Sequence, residues 1–163
     1  MTMREVTEMK PRKLGLELLI DLLEGEHRKV ESELRAVSGM IAARDPGGLG
    51  RLLQSLDEEL LQHMLDEESG VLRILIKAYG KEGSRDAIEV FQEHVDIMDL
   101  LRELDVSITA DRQMSAELLK RLDRLMPEHF RKEDITTFPW ALKTNYSMRN
   151  GSLPEHVVHP PKQ

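Results

Sequence analysis

The chain has 163 residues and a net charge of −7, with 33% charged, 40% hydrophobic and only 4% aromatic side chains. That length suits one domain with a real core, the scarcity of aromatics favours helices over sheet, and an acidic surface argues against a nucleic-acid partner. The absence of cysteine excludes disulfides, zinc–thiolate sites, iron–sulfur clusters and thiol nucleophiles.

No apolar run approaches the roughly 20 residues needed to span a bilayer, and no signal-peptide pattern opens the chain, so no membrane partner is expected and the default location is cytoplasmic. Residues 1–12 are polar and read as an N-terminal arm, mobile or loosely docked. From about Leu14 the apolar positions are Leu16, Ile20, Leu23, His27, Val30, Leu34, Val37 and Ile41, in alternating steps of four and three. That is the seam of a bundle helix, with His27 in a slot a leucine would fill. Asp45-Pro46-Gly47-Gly48 reads as a break.

A second helix is expected from near Leu49, with Leu53, Leu56, Leu60, His63, Glu67, Gly70 or Val71, and Ile74 inward. It continues to about Tyr79, and Gly80 to Ser84 forms a turn in which Ser84 could cap the next helix. The third helix spans about 85–104, with Ile88, Phe91, His94, Met98 and Leu101 inward, and Asp105 to Ala110 reads as a connection capped by Thr109 or Asp111. The fourth carries Met114, Leu118, Leu122, Leu125, His129 and Glu133 on one side. Pro127 should kink it or mark an irregularity. Pro139 is expected to end the helical pattern near Leu142, leaving 143–163 as an irregular tail. The whole is therefore an all-α, antiparallel up-down-up-down four-helix bundle over 13–142.

Four histidines fall on seams, and three carry a carboxylate four residues on: His63 with Glu67, His129 with Glu133, and His27 with Glu31, which stands one step off the seam. That spacing stacks the two side chains on one helical face, where an imidazole and a carboxylate can share a metal ion. His27 and His94 precede His63 and His129 at nearly equal distances, so the chain reads as two similar halves. One seam histidine is most often a hydrogen-bonded core residue. Four histidines and two carboxylates in one small core are costly without a cation. The ferritin-like pattern of two Glu-x-x-His pairs is not met, since only Glu24-x-x-His27 has that spacing. Glu26, Glu93 and Glu128 sit about 100° around the helix from the histidines they precede and are expected to be exposed, as is Glu31. His156 and His159 fall in the tail.

Glu26-His27, His63-x-x-x-Glu67-Glu68, Glu93-His94 and His129-x-x-x-Glu133-Asp134-x-x-Thr137-Phe138-Pro139 together resemble the hemerythrin-like, or HHE cation-binding, family. The resemblance implies a non-haem centre of two iron ions held by His27, His63, Glu67, His94, His129 and Glu133, with Glu67 and Glu133 as bridges. Ligand softness alone would also admit zinc or manganese. The partner would be a small ligand such as O2, NO or peroxide, and the chain a monomer or homodimer. Oxygen-carrying members have His-x-x-x-His on the third helix; here His94 is followed by Met98, which argues against reversible oxygen carriage. The expected function is binding or sensing of O2, NO or iron status. The alternatives are a di-iron oxidase or peroxidase, or an iron donor in the repair of iron centres.

Overall fold

A computed structural model describes residues 8–152. They are helical from Leu16 to Arg149 with short breaks: α1 (Leu16–Ala43), α2 (Pro46–Glu67), α3 (Arg73–Gly83), α4 (Arg85–Ala110), α5 (Arg112–Lys132) and α6 (Phe138–Arg149). Between α2 and α3, and between α5 and α6, lie π-helical turns, Glu68–Leu72 and Glu133–Thr137. Each π-turn joins its two helices into one long rod, so the molecule is a bundle of four rods, with no strand among the described residues. α1 packs on α2, α2 on α4, α4 on α5, and α5 back on α1, closing a square.

Several boundaries differ from those the sequence suggested. α2 begins at Pro46, because Asp45 serves as its N-cap, accepting from the Gly48 amide at 3.0 Å. Pro46 occupies the first turn, where its missing N–H costs nothing. α4 runs on through Asp105–Ala110, a stretch with neither glycine nor proline, and Asp111 caps α5 by accepting from the Gln113 and Met114 amides. Ser84 does not cap α4 through its side chain; its hydroxyl donates back to the Gly80 carbonyl. Gly80 itself has φ 68° and ψ −178°, a conformation essentially restricted to glycine.

α5 continues through Pro127. Pro139 does not end the helix either, for it stands in the first turn of α6, after the π-turn, where a proline is tolerated. Residues 143–149 are therefore helical rather than part of an irregular tail, with Thr144 buried and its hydroxyl 2.9 Å from that of Tyr79. The rest of the expected tail, with His156 and His159, lies outside the described residues, as do residues 1–7 of the arm. Two expected seam residues, Ile88 and Met114, are exposed; Ala87, Val90 and Ser115 take the inward positions beside them. A four-and-three pattern leaves a helix face ambiguous by about one residue at its ends, and packing resolves it.

The core is in two parts. One cluster, including Val30, Leu34, Leu56, Leu60, Ile97, Leu101, Leu122 and Met126, fills the end of the bundle where α1 meets α2 and α4 meets α5. The other, including Leu19, Leu23, Val71, Leu75, Val90, Phe138 and Trp140, fills the opposite end. His27, His63, Glu67, His94, His129 and Glu133 lie buried between these two segments of their own rods. A polar layer thus divides the apolar core.

Candidate metal centre

The same helical register that stacks leucines along each seam brings the six residues to one level. Their side chains are at most 3% exposed, and Glu67 and Glu133 are fully buried. The imidazoles turn Nε2 inward. His27 Nε2 is 3.2 Å from His63 Nε2 and 3.0 Å from Glu133 Oε2. Glu133 Oε1 is 2.7 Å from His129 Nε2 and 3.5 Å from His94 Nε2. Glu67 Oε2 lies 3.3 Å from His94 Nε2 and 3.8 Å from His63 Nε2. Ligating atoms converge in two groups: His27, His63 and Glu133, and Glu67, His94, His129 and Glu133. Glu133 belongs to both.

Each histidine is oriented from behind. His63 Nδ1–H donates to Glu26 (2.8 Å), His94 Nδ1–H to Glu68 (2.8 Å), His129 Nδ1–H to Glu93 (2.6 Å) and His27 Nδ1–H to Asp134 (2.8 Å). In every case the carboxylate comes from the rod preceding the histidine's own, so the four bonds form a closed ring around the bundle. A carboxylate on Nδ1 fixes the tautomer that leaves the Nε2 lone pair facing the centre. Glu26 and Glu93 are therefore not exposed charges, as their helical angle suggested. About 100° away from the ligand on their own helix, they meet the histidine of the next one. Glu128 is exposed as expected. The two π-turns begin at Glu68 and Glu133, so the helix widens where Glu67 and Glu68, and Glu133 and Asp134, serve as consecutive carboxylates. Such local widenings recur at functional sites. The sequence signal for the orienting carboxylates was present in the Glu26-His27, Glu67-Glu68, Glu93-His94 and Glu133-Asp134 pairs.

Aromatic rings close one side. Phe130 stacks on His27 with centroids 4.1 Å apart, and Phe138 lies 5.6 Å from the same ring. On another side, Leu61, Met64, Leu65, Val95 and Met98 line a mostly apolar cleft that reaches His94.

The charge balance inside is lopsided. Burial lowers the imidazole pKa values, but the facing carboxylates outweigh it: His27 and His129 are raised to about 9, and His94 to about 11. Burial acts to raise Glu133, yet the imidazoles of His129, His27 and His94 that face it hold it well below the usual carboxylate range. Glu67 goes the other way, raised by burial and by the nearby Glu133 charge.

The donors fit a cation better than they fit one another. Both carboxylate oxygens of Glu67, both of Glu133, and Nε2 of His94 and His129 are buried and make no directed hydrogen bond, only ion-pair contacts within the cluster. Polar atoms without a hydrogen bond in a closed core are costly, and here six converge on one spot. Imidazole nitrogen and carboxylate oxygen are a donor set for a divalent first-row metal.

A four-helix bundle presenting four imidazoles and two carboxylates to a buried centre has the donor cluster of a candidate metal site. The model of the hemerythrin HHE cation-binding domain matches residues 18–146. The chain belongs to that family. No curated protein and no solved structure matches it. Among the described residues no helix is long and apolar enough to cross a membrane.

Proposed function

We propose that the chain is a non-haem di-iron protein whose centre binds O2 or NO, as a sensor or a reactant rather than a reversible carrier. The observation that carries this reading is the pair of donor groups sharing Glu133, with six of their atoms making no directed hydrogen bond. His27, His63 and Glu133 would hold one ion, and Glu67, His94, His129 and Glu133 the other. Iron bound there supplies a redox-active Lewis acid with coordination positions for an exogenous ligand.

The chain's residues do the rest. Glu26, Glu68, Glu93 and Asp134 hold the imidazoles in one tautomer. Glu133, which belongs to both donor groups, would offer its negative charge to either ion, and Glu67, near His94 and His63, would add a second. Phe130 and Phe138 keep bulk water off His27. Met98, where a fifth histidine would add a nitrogen donor, is buried and lines the cleft to His94. A thioether is a poor ligand for ferric iron. An apolar approach of this kind favours a small neutral molecule over a hydrated ion.

Metal analysis of protein purified anaerobically from iron-rich growth tests the reading, together with its absorption spectrum before and after NO. About two iron ions per chain and a spectral change with NO are expected for a shared-carboxylate site. Iron near zero overturns it. Two zinc ions per chain would keep the metal centre and overturn the redox function.

A further inference from the structure

The four orienting carboxylates are not equivalent. Among the described residues Glu68 and Asp134 pair with no lysine or arginine, whereas Glu93 meets Lys132 at 2.8 Å and Glu26 meets Arg12 at 2.6 Å. Lys132 is next to the ligand Glu133 in sequence. Arg12 is different, for it lies in the arm ahead of α1, outside residues 18–146 that match the family.

The arm is not loosely docked at this point. Arg12 Nη2 donates to Glu26 Oε1, Arg12 Nε to Asp66 Oδ2 at 2.5 Å, and the Arg12 backbone amide to Asp66 Oδ1 at 2.7 Å. Gln62 adds a fourth bond to the arm, donating to the Lys10 carbonyl at 2.9 Å, and it also donates to Asp66 Oδ1 at 3.0 Å. Asp66 is 1% exposed and precedes Glu67. The second oxygen of Glu26 takes the Nδ1–H of His63. A continuous chain of bonds therefore runs from the arm, through one carboxylate, to one histidine of the centre.

We propose that Arg12 is a positioning residue for His63, and that docking of the arm sets how firmly the His27–His63 position holds its ion. The proposal rests on the metal reading above. A guanidinium presents its donors in a rigid fork, so Arg12 fixes the Glu26 carboxylate at the angle that keeps His63 Nε2 aimed at the centre. It also draws charge from Glu26, leaving His63 a weaker electron donor than a free carboxylate would make it. With Arg12 withdrawn, Glu26 can swing to solvent and Asp66 keeps a buried charge without its cation. The effect is local: His94 and His129 answer to Glu68 and Glu93, on the far side of Glu133.

Cobalt(II) serves as the probe, because its unpaired electrons move the four Nδ1–H resonances out of the protein envelope in proton NMR. In wild type we expect two cobalt ions per chain and four slowly exchanging signals. In Arg12→Gln the His63 signal should shift and exchange with solvent at least about tenfold faster, the scale on which such supporting contacts tune a metal site. One of the two ions should leave to EDTA faster by a similar factor. The His94 and His129 signals should keep their wild-type rates. Arg12→Lys keeps the charge but not the fork, and it should fall between the two; it also serves if Arg12→Gln does not accumulate. An unchanged His63 signal in a variant, or all four signals quickening together as the fold loosens, overturns the positioning role while leaving the metal centre standing. Failure of the wild type to take up cobalt overturns both.

Discussion

Glu133→Gln is the substitution that separates a metal centre from an internal salt-bridge network most sharply. The amide keeps the shape of the side chain but loses the charge and one of two acceptor oxygens. Those oxygens are the ones 2.7 Å from His129 and 3.0 Å from His27, and both donor groups use the residue. Consider free metal at about a hundredfold above each dissociation constant. Each ion then stabilises the fold by about 2.7 kcal/mol, and two by about 5.4 kcal/mol. For a chain of this size each kcal/mol moves the midpoint by about 2–4 °C, so chelation should lower the wild-type midpoint by about 11–22 °C. If the substitution weakens each position a hundredfold, the ions add only about 0.4 kcal/mol apiece. Chelation should then shift the midpoint by no more than about 3 °C. Scanning calorimetry with and without chelator reads both numbers on each protein, and metal analysis should show bound metal falling well below two ions. A Glu133→Gln protein that keeps the full chelator-dependent shift would refute the shared-carboxylate centre.

Two further outcomes follow from the structure. In metal-free protein the raised pKa values of His27, His94 and His129, about 9, 11 and 9, lie above the unfolded value of about 6.5. Their stabilisation is complete below about pH 6.5 and is lost as pH rises through about 9 and beyond. The chelated protein should therefore melt lower at about pH 9.5 than at about pH 7, while metal affinity rises over the same range because a ligand must be a neutral imidazole; a metal-free midpoint that climbs would contradict the assignment. Gly80→Ala forces a side chain into φ 68°, ψ −178° and should cost about 1–3 kcal/mol with metal content unchanged. A denaturant midpoint equal to wild type would show that the turn relaxes freely.

The sequence was most legible where burial repeats. Leu16 to Val37 and Leu49 to Leu60 are inward as their spacing required, because a period near 3.6 allows few alternatives on a long helix. The six centre residues stand on the same seams, and the register that places leucines also placed them. What escaped was geometry that no period encodes. The π-turns at Glu68–Leu72 and Glu133–Thr137 insert a wider turn with ordinary residues. Glu26 and Glu93 lie off their own seams, and only the approach of the next helix reveals that each meets a histidine. The continuation of α6 past Pro139 was hidden for a related reason. Proline normally argues for an end, and the local rule lost to packing of Trp140, Ala141 and Thr144 against the neighbouring core.

The ring of carboxylate–histidine bonds also has an order in time. Glu26 and His63 are synthesised early and lie in neighbouring rods, but His27 waits for Asp134, 107 residues later. Glu133, common to both donor groups, is made next to that last partner. Until the final rod docks, a chain emerging from the ribosome has Glu67 alone of the two central carboxylates. It cannot assemble either group of donors before the bundle is closed. If the centre holds metal, neither set of donors is complete until the rod that carries Glu133 has docked.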